Sequence, residues 1–230
     1  MMKLRIGSML AVLALMAGCA SKPQAPMALS AEMAPGKSGR IGVAMTPSPK
    51  VSTSFPGASC LLCIAAASVA NSSLTSYVET LPPEDLAALK TRIAAALQKK
   101  GVDAVVIPDD IKPDSFPSAS AKGPSLAEKD FSSLRAKYKI DKLVLIDVTT
   151  LGVERSYSAY VPTGDPKAVL RGTGFLVNLS TQAYEWYLPV NVLKSADGKW
   201  DEGPKFPGLT NAYYQALEIG KDNFVDPFIR

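Results

Sequence analysis

The hydrophobic period of this chain changes part-way along it, and that change limits the fold more than any single motif does. Before residue 150, short apolar runs of strand length alternate with stretches of helical spacing; after Gly152 apolar and polar residues alternate one by one. Ser38-Gly39-Arg40-Ile41-Gly42-Val43-Ala44-Met45 predicts a strand, ended by Pro47 and Pro49, and a turn-rich piece runs on to Pro56-Gly57. Pro82-Pro83-Glu84-Asp85 opens a helix with acids in its first turn. Leu86, Leu89, Ile93, Ala96 and Leu97 share one face, and Lys99-Lys100-Gly101 closes it. Val102 to Ile107 is then a strand. Ser125 and Glu128 have capping-box spacing for a second helix carrying Leu126, Phe131, Leu134 and Tyr138. Lys142 to Val148 is a strand whose Leu143-Val144-Leu145-Ile146 run has the pattern of burial on both faces.

In the second half Tyr157, Ala159 and Val161 alternate with polar residues, and Gly164-Asp165-Pro166 turns the chain. Ala168–Leu179 and Tyr184–Val192 form a hairpin around Ser180-Thr181-Gln182. Leu209–Phe224 is a final helix carrying Tyr213, Leu217 and Phe224. This order predicts an α/β (α+β) sandwich, a mixed β-sheet with helices packed on it, as one domain over residues 38–230.

The amino-terminal end has a different character. Lys3 and Arg5 precede Ile6 to Ala17, an uncharged apolar stretch of signal-peptide length, too short to span a bilayer. It runs into Leu15-Met16-Ala17-Gly18-Cys19, which resembles the lipobox of bacterial lipoproteins, with Met16 where Leu is usual. The resemblance implies a signal peptide over 1–18 and a mature chain that begins at Cys19, lipidated (palmitate among its acyl chains) and membrane-held. Ala20 and Ser21 follow. In the proteins it resembles, an Asp in that place retains the chain at the inner membrane, so the outer membrane, on its periplasmic face, is expected. A Pro-, Ala- and Ser-rich stretch then makes 19–37 a flexible tether, short enough to keep the domain near the membrane.

The formal charge of +4 includes Lys3 and Arg5, which leaves about +2 on the mature chain, with no basic run and no nucleic-acid signature. The absence of histidine excludes Ser-His-Asp and Cys-His nucleophilic catalysis and His-ligated zinc. With Cys19 acylated, only Cys60 and Cys63 remain, too few thiolates for a structural zinc site; in an oxidising periplasm a Cys60–Cys63 disulfide is expected. No enzyme activity, catalytic residue, metal or cofactor is therefore expected.

Three segments carry a wider resemblance: Arg40-Ile41-Gly42-Val43, the helix–strand pair ending at Val105-Val106-Ile107, and Gly174-Phe175-Leu176-Val177-Asn178-Leu179-Ser180-Thr181-Gln182-Ala183-Tyr184-Glu185-Trp186. Together they resemble small envelope domains: the curli secretion lipoprotein, the lipoproteins that activate penicillin-binding proteins, and the amino-terminal domain of the Tol-Pal propeller protein. In those families an Asp-x-x-Thr-Gly turn links two strands and the second carries a Trp; here Asn178 and Gln182 replace the Asp and the Gly. The resemblance implies the same fold and compartment.

Four features are candidates for chemistry or binding. Cys60-Leu61-Leu62-Cys63 is a CxxC pair without a thioredoxin pattern around it, which favours a structural disulfide over a redox site. The insert 57–72 is apolar, rich in small residues and uncharged, with Leu61, Leu62 and Ile64 near its start. It suits a buried helix, or a surface that meets a bilayer or a neighbouring subunit. Asp109-Asp110 and the acids of 197–202 lack an EF-hand spacing and suit solvated loops. Tyr157, Tyr160 and Trp186 lie on expected strands, where alternate residues face outward and an exposed subset would serve an interface. These features favour a lipid-anchored interaction or assembly module that binds a protein partner or further copies of itself. An oligomeric ring component of an export channel is the alternative, and a thiol–disulfide protein the less favoured third.

Overall fold

The computed structural model describes residues 23–30, 33, 35–83 and 85–230. They form one α/β domain, a mixed β-sheet with helices packed on it. Its parallel part consists of β1 (Ile41–Met45), β2 (Ser52–Ser54) and β3 (Ala104–Val106), and the antiparallel part of β4 (Lys142–Glu154), β7 (Lys167–Asn178) and β8 (Tyr184–Ser195). The main order is β3-β1-β4-β7-β8, with β2 paired to the far half of β4. β5 (Tyr157–Ser158) and β6 (Val161–Pro162) form a separate small ribbon beyond β4. Five α-helices accompany them among the described residues: α1 (Leu61–Ala70), α2 (Ser72–Val78), α3 (Ala88–Lys99), α4 (Ser133–Tyr138) and α5 (Pro207–Ile229).

The Leu143-Val144-Leu145-Ile146 run is buried because the sheet is covered on both faces. Val144 and Ile146 point into a core shared with Leu89, Ile93 and Leu97 of α3 and Tyr213, Leu217 and Phe224 of α5. Leu143 and Leu145 point the other way, toward Ile107, Phe131, Leu134 and Ile140. Period-two alternation thus divides the strand between two cores. Trp186 of β8 is 1% exposed, in edge-to-face contact with Phe228 at 4.9 Å between ring centroids. It packs over Gly174 of β7, where a Cβ would collide with the indole ring. The expected interface role of Trp186 is therefore corrected: burial of this ring joins β8 to α5.

Several boundaries differ from the sequence expectation, each for a local reason. Asp85 is left-handed (φ 55°), so α3 starts at Ala88 and carries no acid in its first turn. The capping-box helix at Ser125 does not form. Ser125 is itself left-handed (φ 64°), Ala127 N–H donates to Gln182 O (2.8 Å), and only Ser133–Tyr138 is helical. β4 does not stop at Val148 but passes a bulge at Val148/Thr150 and continues to Glu154, where β2, expected as turn, pairs with it.

Some residues expected as free tether are docked: Gln24, Met27, Leu29 and Met33. Met27 exchanges two backbone hydrogen bonds with Tyr187 (2.8 and 3.1 Å), Gln24 Oε1 accepts from Ser125 N–H (2.9 Å), and Leu29 and Met33 pack on the core. The physical reason is β8: as an edge strand it presents unpaired backbone groups at Tyr187, and Met27 satisfies them.

The second core holds a row of rings, with Phe175–Tyr184 at 5.3 Å and Tyr184–Tyr187 at 5.2 Å. Burial pushes the Tyr184 phenol up to about 12, helped by the charges of Tyr187 and Glu128 and opposed by a backbone hydrogen bond at Glu128. The folded state therefore holds this proton more tightly than the unfolded chain, whose tyrosine titrates near 10. Stability from Tyr184 is complete below pH 10 and is lost as pH rises through about 12. Urea unfolding between pH 9 and pH 12 should show a falling midpoint, and Tyr184→Phe should flatten part of that fall.

Candidate functional site

Helix α1 turns inward only at Cys63 and Ala67. These two, with Asn71 one turn further on, form a narrow i, i+4 stripe. Cys63 and Ala67 pack on Ala58 and Tyr157, with Phe55 alongside. Because the inward stripe is made of small side chains, the bulky ones have nowhere to go but outward. Leu61 is 87% exposed, Leu62 72% and Val69 76%, and Ile64 is also exposed. The reading of the insert as a buried helix is corrected accordingly.

The start of α1 is held covalently. Cys60 is an extended N-cap whose Sγ accepts from the Cys63 N–H at 2.9 Å, and the two cysteines form a disulfide with Cα atoms 4.9 Å apart. Leu61 and Leu62 are the two residues inside this loop, so the bridge fixes the turn from which they project. Tyr160, at the tip of the β5–β6 ribbon, lies with its hydroxyl 3.7 Å from Cys60 Sγ, and Val161 is exposed beside it in sequence. Tyr157 is buried beneath α1, which corrects its expected place on an interface. The structure thus brings together Leu61, Leu62, Ile64 and Tyr160 of the expected surface residues. Val69 and Val161 are members of that surface which sequence reasoning missed, although the uncharged run around Val69 was its signal.

The bend between α1 and α2, 76°, is built on one polar hub. Asn71 is 2% exposed and fully engaged. Its Nδ2 donates to Ala67 O and to Tyr157 Oη, both at 2.7 Å, and its Oδ1 accepts from Arg155 Nη1 at 2.9 Å. Arg155 also stacks over the Trp200 ring at 4.8 Å. Residues 51–78 contain no charged side chain, and the residues at the two ends of that stretch, Lys50 and Glu79, pair with each other at 3.2 Å. This uncharged stretch is thus bounded by one ion pair; Val51, Leu74 and Val78 within it lie in the main core, and α1 stands out from it. Among the described residues no single helix is long and apolar enough to cross a membrane; only the bent pair α1–α2 together reaches that length and apolarity.

The acidic loops do not gather. Asp109 is bound by Tyr138 Oη (2.5 Å) and Lys137 Nζ (2.9 Å); the Tyr138 hydrogen bond first, then Lys137, holds its carboxyl below the usual range. Among the described residues no three His, Cys, Asp or Glu side chains lie where they could share a metal ion. The segment Trp200–Phe206 instead walls a groove of about 410 Å³ against Ala70, Asn71 and Leu74. Residues 1–22, and with them the expected signal peptide and Cys19, lie outside the described residues.

No protein-family model and no curated protein matches this chain. Among solved structures it is similar to a Xanthomonas campestris protein of the DUF330 family model, with TM-score 0.38 and 14% identity over 90% of this chain and 92% of that one. It is also similar to the PelC dodecamer of Paraburkholderia phytofirmans, with TM-score 0.33 and 13% identity over 84% of this chain and 92% of that one. Overlaps of this size carry no argument about role, which has to come from the residues themselves.

If the Asn71 hub positions the tip, Asn71→Ala should cost about 1–3 kcal/mol by leaving the Arg155 and Tyr157 polar groups unpaired. Amide hydrogen exchange should accelerate through Cys63–Ala70 while β4, β7 and β8 stay protected.

Proposed function

We propose that this protein is a lipoprotein of the bacterial envelope, cut before Cys19, acylated there and held at the periplasmic face of the outer membrane. The domain works as a non-enzymatic interaction module of an envelope assembly. The apolar tip carries this reading. Fixed by a disulfide and a buried asparagine, it offers leucine, isoleucine and valine side chains to the outside, as surfaces that bind other hydrophobic surfaces do. The Cys60–Cys63 bridge acts as the staple of that tip, because it closes the turn from which Leu61 and Leu62 project. The Ala20-Ser21 pair after Cys19, with no Asp, supports the outer membrane.

Metabolic labelling with a palmitate analogue tests the anchor. The parent chain should take up label and fractionate with the outer membrane, whereas Cys19→Ala should lose the label and keep the mass of residues 1–18. Label retained on Cys19→Ala would contradict the anchor. The interaction role predicts that the chain, extracted from its own cells in mild detergent, runs as a particle heavier than one copy; a bare monomer would contradict it.

A further inference from the structure

The two ends of the sheet differ, and the chain leaves from one while the tip stands at the other. Gln24 and Met27 dock at Ser125 and Tyr187. Tyr187 is in register with Phe175, and Phe175 with Leu145 near the start of β4. The tip rests on Arg155 and Tyr157, just beyond Glu154 at the end of β4. From Leu145 to Glu154 is nine steps of ~3.3 Å, about 30 Å along the strand. Cys19 is five residues before Gln24 and cannot sit more than about 18 Å from it.

We propose that the occupant of the tip is the lipid bilayer itself. Leu61, Leu62, Ile64 and Val69 dip into the membrane that holds Cys19, as a second point of attachment. This deepens the proposed function and rests on its anchor. Three observations support lipid as that occupant. The exposed face of α1 from Leu61 to Val69 carries no charged side chain. The Lys50–Glu79 ion pair that bounds the stretch 51–78 is exposed, as the water side of a membrane boundary allows. The polar group at its bend, the Asn71 amide, is satisfied from within, as an apolar solvent requires. The geometry then sets orientation. With the strands upright over the anchor, the tip would stand about 30 Å or more from the bilayer, so contact requires the strands to lie close to the membrane plane. The 18 Å reach of 19–24 leaves room for that.

The test uses the full acylated chain in phosphatidylethanolamine–phosphatidylglycerol vesicles, with and without bromine at mid-acyl-chain depth. The added fluorescence of Leu62→Trp should fall at least twofold with brominated lipid, and that of Val106→Trp, on the exposed edge strand β3, should not change. Leu61→Trp provides a second reporter at a still more exposed position. Vesicle-bound chain in which neither Leu61→Trp nor Leu62→Trp is quenched would overturn the tip proposal and leave the anchor standing. Quenching in a chain found to carry no lipid on Cys19 would keep the tip and overturn the anchor. A photocrosslinker at position 62 that joins two copies instead of reaching lipid would overturn lipid as the occupant.

Discussion

Strand β4 pairs with β1 through Lys142–Ile146 and with β2 through Gly152–Glu154, so one continuous ladder serves two different parts of the molecule. Its first half lies between two cores and is buried on both faces. Its second half passes a bulge and carries the chain beyond the main body, to Arg155 and Tyr157. Those two side chains hold Asn71, Asn71 holds the bend between α1 and α2, and the bend aims α1. Shortening β4 to the seven residues its apolar run suggested would leave Arg155 and Tyr157 without a rigid base, and the tip with them.

Exposed leucines carry a free-energy cost in water, and the fold accepts it here by specific means. A helix that packs through cysteine, alanine and asparagine gains little from burial, roughly the contribution of a few methylenes at about 0.8 kcal/mol each. A disulfide across its first turn and a buried three-partner amide take the place of a wide apolar contact. Such anchoring leaves the outer face free, so its residues are set by what they meet rather than by the core. The groove beside Trp200 belongs to the same region, because Arg155 links the indole to Asn71.

Much of the fold was legible because period and burial agree. Leu143–Ile146, the β7–β8 hairpin and the stripe Tyr213, Leu217 and Phe224 all fell in the elements their spacing implied. What was not legible depended on partners distant in sequence. No local signal shows that Tyr187 will recruit Met27 out of an apparent tether, or that Gln182 will accept the Ala127 N–H and so stop a capping box from nucleating a helix. The candidate surface split for a similar reason. Leu61, Leu62, Ile64 and Tyr160 face out, while Tyr157 and Trp186 are buried. Alternation assigns neighbours to opposite faces but does not say which face is covered, and Trp186 is covered because Gly174 leaves space for it.

Polarised infrared spectroscopy of the acylated chain on a supported bilayer separates a domain held at both ends of its sheet from one held at Cys19 alone. Amide I dichroism reports the direction of β4, β7 and β8 relative to the membrane. Attachment at both ends should give strands close to the membrane plane, reverting toward the normal or to no preferred angle in Leu61→Ser/Leu62→Ser. Strands along the normal in the parent chain would place the tip away from the bilayer and contradict it.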